Sequence, residues 1–432
     1  MNNKWFKKIA KYAVVILALV LIPQSLNIQS ELSMRTIISA MAVDMVEDKF
    51  LVTAQVVKPS STAEGGGVEL DFISASGNTI AEAVDEVTVA LGRTAGLAHI
   101  DTIIVGQELL KKEKLMPSLD YFLREKGIQS SAMLLVAEDK AKDALEHTKK
   151  LQLSSAVGLP KVFLYKENNT NGVMMQLQSF MNDYFAVAQC SVISGVKIES
   201  KEEMEKSEMG QEAEGSSSSS GGSSSSGGSS GGGSSSGSTS SGGGEEKKDG
   251  RIKYANDIYI FKKGKHVHTI TDDESKKGIY LINRNSREGI IGVDNISNIY
   301  AQNAKASVYF RDKKVKIKSE FIDGKPKCTF TIITNRNEVF SIETDQPDDV
   351  LYETEKTYLT DDVIQAVQEE MKNCILKAFK ECQEKNVDVL QLGNRLYQKN
   401  ARKWKEFIAS VGEEDYIKHI DLKVKIKFKN QI

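Results

Sequence analysis

From Gly215 to Gly244 the chain consists of serine and glycine, with Thr239 the single exception. Nothing apolar is available in that run to offset the entropy lost on ordering, so it predicts a flexible coil. The chain must therefore fold from two blocks joined by a tether. At ~5–6 Å times the square root of length, its thirty residues span roughly 30 Å on average. Glu199–Glu214 and Glu245–Arg251, rich in charge, extend the tether on either side.

The N-terminus constrains location. Lys4, Lys7, Lys8 and Lys11 precede the apolar run Tyr12–Ile22, the layout of an export signal with a basic n-region and a short h-region. Eleven helical residues cover only ~16 Å against a hydrocarbon core of ~30 Å. Both a cleaved signal and a retained, tilted anchor stay open, and either predicts export of the rest of the chain.

A length of 432 residues with 40% apolar content allows two or three domains with real cores. A net charge of −2, with lysine and glutamate interleaved, gives no sign of a nucleic-acid partner. Cys190, Cys328, Cys374 and Cys382 lack metal-binding spacing and read as buried thiols acting as small hydrophobes.

Before the tether, Thr36–Val43 and Phe50–Val57 read as a hairpin about residues 44–49. Thr79-x-x-Glu82 is a capping-box pattern opening a helix to about Leu91. Ile103–Val105 and Ala132–Ala137 read as buried strands alternating with helices near Gln107–Lys112 and Leu115–Glu125, which implies a sheet covered by helices. After the tether, Asp257–Phe261 and His266–Ile270 form a second hairpin signal, and Thr271-x-x-Glu274 a second capping box before a short helix. Lys313–Phe321 alternates charged and apolar residues before a turn at Asp323-Gly324. Asp361–Glu384 carries the clearest helical stripe: Ile364, Val367, Met371, Cys374, Ile375, Ala378 and Cys382. His419–Lys429 alternates apolar residues with Lys423, Lys425, Lys427 and Lys429, as expected of an antiparallel edge strand with one buried face.

Constellations for chemistry are thin. The sequence holds no Gly-x-Ser-x-Gly, no phosphate-cradling glycine loop, no His-Glu-x-x-His and no paired-cysteine motif, so no cofactor is called for. His266-x-His268 would put two imidazoles on one strand face, but no third ligand accompanies them. Asp272-Asp273-Glu274 reads as favourable charge at a helix start. His99, in the loop Gly92–His99, lacks a nucleophile and an orienting partner and reads as a loop histidine bonded to backbone. The chain is not expected to be an enzyme.

Several segments, in order, resemble the Ger(x)C family of spore germination proteins. They are Ile37–Asp44, Phe50–Pro59, Ser76–Ala83, then Gly92-Arg93, His99 and Ile103–Leu109. After the tether come Tyr259–Lys265, Gly278–Tyr280, the long helix, Trp404 and Phe407, and the alternating last strand. The resemblance implies the C subunit of a germinant receptor: exported, non-enzymatic and on the outer face of the spore inner membrane. Its implied partners are that membrane and two integral-membrane receptor subunits, with no small-molecule ligand assignable to this subunit. Family members usually carry a lipid-modified cysteine after the signal, whereas no cysteine precedes Cys190 here. The fold expected is α+β: three mixed α/β domains with antiparallel-containing sheets. The division expected is a signal or anchor over 1–30, an N-terminal α/β domain over 31–200 and the tether over 201–250. A second small domain follows over 251–300, then a C-terminal α+β domain over 301–432. Gly92, Arg93 and His99 form a candidate loop, either a partner contact or structural. The competing reading is a stand-alone exported protein that binds a ligand or the cell wall.

Overall fold

The computed structural model describes residues 35–59, 68–125, 127–148, 158–200, 250–296, 304–343 and 360–429. The signal or anchor segment 1–30 and the Ser/Gly run lie outside them. Among the described residues no helix is long and apolar enough to cross a membrane.

β1 (Arg35–Val46) and β2 (Lys49–Pro59) form the expected hairpin. Its two turn residues, Glu47 and Asp48, both have positive φ, the turn whose twist matches that of the flanking strands. β3 (Val68–Gly77) adds antiparallel to β2. α1 (Ile80–Leu91) starts at Thr79, whose hydroxyl accepts the Glu82 amide at 3.1 Å. Glu82 reaches back to the Asn78 amide at 2.8 Å, one residue before the position a standard capping box uses. Gly92 ends the helix at φ 61, the left-handed geometry that favours glycine. β4 (Thr94–Gly96) runs parallel to the start of β1.

The centre of the sheet is parallel. β5 (Thr102–Val105), α2 (Gln107–Lys111), α3 (Leu115–Arg124) and β6 (Met133–Ala137) form a strand–helix–strand crossover. β5 and β6 are buried throughout, as parallel strands covered on both faces must be. α4 (Ala141–His147), α5 (Gly158–Asn168), β7 (Met175–Gln176) and α6 (Leu177–Phe185) lead into β8 (Cys190–Ser200), parallel to β6.

β9 (Gly250–Lys262) pairs antiparallel with β8 from Cys190 opposite Lys262 to Ser200 opposite Gly250, and β10 (Lys265–Ile270) pairs with β9. The Ser/Gly run therefore connects the paired ends of neighbouring strands. One ten-stranded sheet, with the main order β10-β9-β8-β6-β5-β1-β2-β3, takes strands from both sides of residues 201–249. The first strands expected in a separate domain over 251–300 belong to the sheet of the N-terminal half, because each strand hydrogen-bonds to the neighbour that completes its edge.

α7 (Asp273–Ile282) begins at Asp272, not at the expected Thr271: its carboxylate accepts the Ser275 amide at 2.8 Å. A second sheet holds β11 (Gly289–Ile296), β12 (Ala304–Ile322), β13 (Lys325–Glu343) and β14 (Asp421–Phe428). α8 (Asp361–Glu384) keeps the bounds read from its stripe, and every stripe residue is buried. α9 (Leu392–Lys399) and α10 (Ala401–Val411) follow. β14 is the edge expected, but it runs parallel to β13, correcting the antiparallel expectation. Among the described residues three α-helices and a 3-10 turn intervene between β13 and β14, and such a crossover returns the chain in the same direction. α7 crosses α8 at Gly278, where an added Cβ would lie 2.2 Å from the Cys374 carbonyl oxygen. One continuous core joins both sheets, with Val192, Phe261, Phe330 and Ile375 among its members.

Candidate functional site

The two halves meet at the tip of the β9–β10 hairpin. Lys263 and Gly264 adopt positive φ there, the same turn geometry as at Glu47-Asp48. Gly264 is required sterically as well, since an added Cβ would sit 2.3 Å from Met116 Cγ of α3. The lysines around this turn clamp both sides. Lys262 Nζ and Lys263 Nζ lie 2.7 and 2.6 Å from the Glu414 carboxylate, and Lys262 also donates to the Asn386 carbonyl at 2.8 Å. Lys265 pairs with Glu113 at 2.5 Å. The two lysines draw the Glu414 carboxyl down to about 2.

Behind the clamp, Asp388 is fully buried. Its carboxylate accepts from the Leu392 amide at 2.9 Å, the Gly393 amide at 2.7 Å and the Tyr416 hydroxyl at 2.8 Å. It thereby caps α9 and orients Tyr416, which stacks edge-on against Trp404 at 5.1 Å between ring centres. Burial raises the Asp388 pKa, opposed by these three donors. The Asp388 amide donates to Cys190 Sγ at 3.3 Å, and Asn394 accepts the Ala188 amide at 2.9 Å, so the α9 region is fastened to β8. The four cysteines are buried and unbridged, as expected, and burial pushes the Cys190 thiol up to about 12.

Lys313 is a second buried charge. A two-residue irregularity in β12, with Asp312 at φ 52, turns this lysine inward while Lys314 stays exposed. Its ammonium donates to the carbonyls of Tyr280 at 3.2 Å, Leu281 at 2.6 Å and Asn283 at 3.0 Å, where α7 ends. Cations are favoured at that end of a helix dipole. Burial nevertheless pulls its pKa from 10.5 to about 7, with Glu167 opposing.

The loop expected to make contacts is exposed but spread along its segment. Gly92 caps α1, Arg93 leads into β4, and His99 closes a single 3-10 turn, Leu97–His99. The His99 imidazole takes no hydrogen-bond partner among the described residues, which corrects the expected backbone bond. His266 and His268 also part company. A bulge between them leaves His266 Nε2 2.9 Å from Thr269 Oγ1 and His268 Nε2 2.6 Å from Glu381 Oε1 of α8. No group of three metal-ligating side chains occurs among the described residues. A shallow cleft of about 370 Å³ lies between Phe50, Thr79, Ile80, Pro117, Tyr121 and Arg124, with Arg124 held by Asp120 at 2.7 Å. These arrangements fasten, cap and dock; none pairs a nucleophile with a base.

Sequence reasoning missed Asp388, Glu414 and Lys313. Asp388 stands four residues before Leu392, upstream of the cap position that Gln391 holds, so the ordinary cap signal does not reveal it. Lys313 had no signal either, because its inward turn depends on an irregularity set by the partner strand.

Two family models match in order: the spore germination protein N-terminal domain over residues 29–198, and the spore germination B3/GerAC-like C-terminal domain over 256–432. The chain belongs to the Ger(x)C family of spore germination proteins. Among its relatives is spore germination protein KC of Bacillus subtilis (strain 168), 26% identical over 132 residues, which is 29% of this chain and 32% of that protein. The chain thus aligns with about a third of the length of that relative. The crystal structure of the GerBC protein is similar at 15% identity and a TM-score of 0.46, over 90% of this chain and 96% of that one.

Proposed function

We propose that this protein is the C subunit of a nutrient-germinant receptor, a non-enzymatic subunit required for germination signalling. It acts beside two integral-membrane subunits on the outer face of the spore inner membrane. The observation that carries this reading is the ordered match of both family domains on the two sides of the tether. The geometry agrees with a scaffolding role: its buried charges at Asp388 and Lys313 cap helices rather than face a substrate. The loop bearing Gly92, Arg93 and His99 is exposed and supplies a contact surface for a partner subunit. Residues 1–30 hold the chain at the membrane without a lipid on cysteine.

A strain lacking the gene should lose germination in response to nutrients yet still germinate under a non-nutrient trigger. An unchanged nutrient response overturns the proposal and leaves the stand-alone exported protein. Arg93→Glu should weaken co-purification with the membrane subunits, and mass spectrometry of the mature N-terminus from membranes distinguishes anchor from cleaved signal.

A further inference from the structure

The outer face of the second sheet carries a lysine grid that neither the core nor the clamp explains. On β12, Lys314, Lys316 and Lys318 point to one side, and on β14, Lys427, Lys425 and Lys423 do the same; all six are exposed. Strand register places them in three rows. Lys314 lies opposite Ile333 and then Lys427, Lys316 opposite Thr331 and Lys425, and Lys318 opposite Thr329 and Lys423. Along each strand the lysines repeat every ~7 Å, and the two columns stand two strands apart, ~9.6 Å. The opposite face of the same strands supplies Val315, Phe330, Ile332 and Val424 to the core, so alternation directs the lysines outward.

Among the described residues, only Lys318 of the six has a carboxylate partner, Glu320 at 2.7 Å. The chain as a whole has a net charge of −2, so this concentration of positive charge is local. Like charges gathered on one face repel one another, and a complementary anionic surface relieves that repulsion. The six are spread in two dimensions over an open sheet face, with Thr329, Thr331 and Ile333 between them. A duplex backbone would call for a line of cations, and a folded acidic partner for a shaped recess with apolar anchors. An array of charged headgroups meets a grid of long, flexible ammonium stems without either.

We propose that this lysine face rests on an anionic phospholipid surface. The contact is electrostatic, needs no insertion and weakens with salt over the Debye length. It orients the second sheet toward the bilayer plane and leaves the 92–99 loop to protein partners. This proposal does not depend on the receptor reading, because vesicle binding is measured without germination.

The experiment is flotation of the full-length protein with vesicles of phosphatidylcholine alone, or of equal parts phosphatidylcholine and phosphatidylglycerol. The N-terminal apolar run and its lysines, Lys4, Lys7, Lys8 and Lys11, act alike in wild type and variant, so the readout is the difference between the two in their preference for the anionic vesicles. Each lysine near such a surface contributes roughly fivefold. Replacing four at once (Lys316→Gln, Lys318→Gln, Lys423→Gln and Lys425→Gln) should reduce that preference by about 600-fold, roughly fivefold for each lysine. These side chains are exposed, so the thermal unfolding midpoint should not move, and added salt should narrow the difference between wild type and variant. A wild-type protein without preference overturns the proposal. So does a fourfold variant that keeps the preference, and if that variant instead loses the receptor subunits in a pull-down, the face belongs to an acidic protein.

Discussion

Replacing Lys313 with methionine separates two effects that meet at one buried ammonium. The lysine carries charge into the core, and burial lowers its pKa from 10.5 to about 7. Between those values the unfolded chain binds a proton that the folded chain does not, so stability rises with pH across the window. A depressed folded pKa contributes stability that is fully present above 10.5 and lost as pH falls through about 7. One proton gives a slope of about 1.4 kcal/mol per pH unit, or roughly 2–3 kcal/mol between about pH 7.5 and 9.5. Methionine removes that slope. It also takes a donor from three carbonyls; Tyr280 and Asn283 keep the Ser286 hydroxyl, so the main loss falls on the Leu281 carbonyl, at about 1–3 kcal/mol. Urea unfolding of wild type and Lys313→Met at several pH values gives two curves whose difference cancels every other titrating group. The gap in favour of the wild type should widen from pH 7.5 to 9.5. Parallel curves would refute the reasoning, showing that the ammonium keeps its proton throughout, stabilised by the carbonyls at the helix end.

Further outcomes follow from the same contacts. Asp388→Ala should destabilise by several kcal/mol, about 1–3 for each of the three donors it orphans, whereas Asp388→Asn should cost less; chemical denaturation measures both. Gly278→Val should force α7 from α8, because the new Cβ meets a backbone oxygen that cannot give way, lowering stability by at least about 2 kcal/mol in thermal unfolding. Deleting 215–244 should change stability by less than about 1 kcal/mol, since loop closure depends weakly on length and strand register is held by β8 and β9. A protease site placed within 215–244 should yield two bands on a denaturing gel but a single native peak, because the strands on either side stay paired.

The periodic elements were legible. The stripe of Asp361–Glu384 advances with the helical period, and its residues are the ones buried, because a helix face can be read without knowing what covers it. The turns at Lys263-Gly264 and Asp323-Gly324 were legible too, since glycine takes positive φ without steric cost. Gly92, Arg93 and His99 lie at exposed positions around β4 and a 3-10 turn, and no local signal says what meets them. The inward turn of Lys313 was hidden, because in its own strand it reads like Lys314, Lys316 and Lys318.

By itself, then, the sequence determined α1, α2, α3, α7 and α8, the hairpins, the buried cysteines and the family, all of which rest on local spacing or on ordered motifs. The tertiary structure alone decided that β8 and β9 pair across the Ser/Gly run and that β14 returns parallel to β13. It alone set Asp388 between a helix start, a tyrosine and a thiol, and assembled six lysines from two distant strands into one face. Strand partners, helix crossings and buried charges are long-range matters. The free energy that fixes them comes from residues far apart in the chain, and no stretch of local sequence contains it.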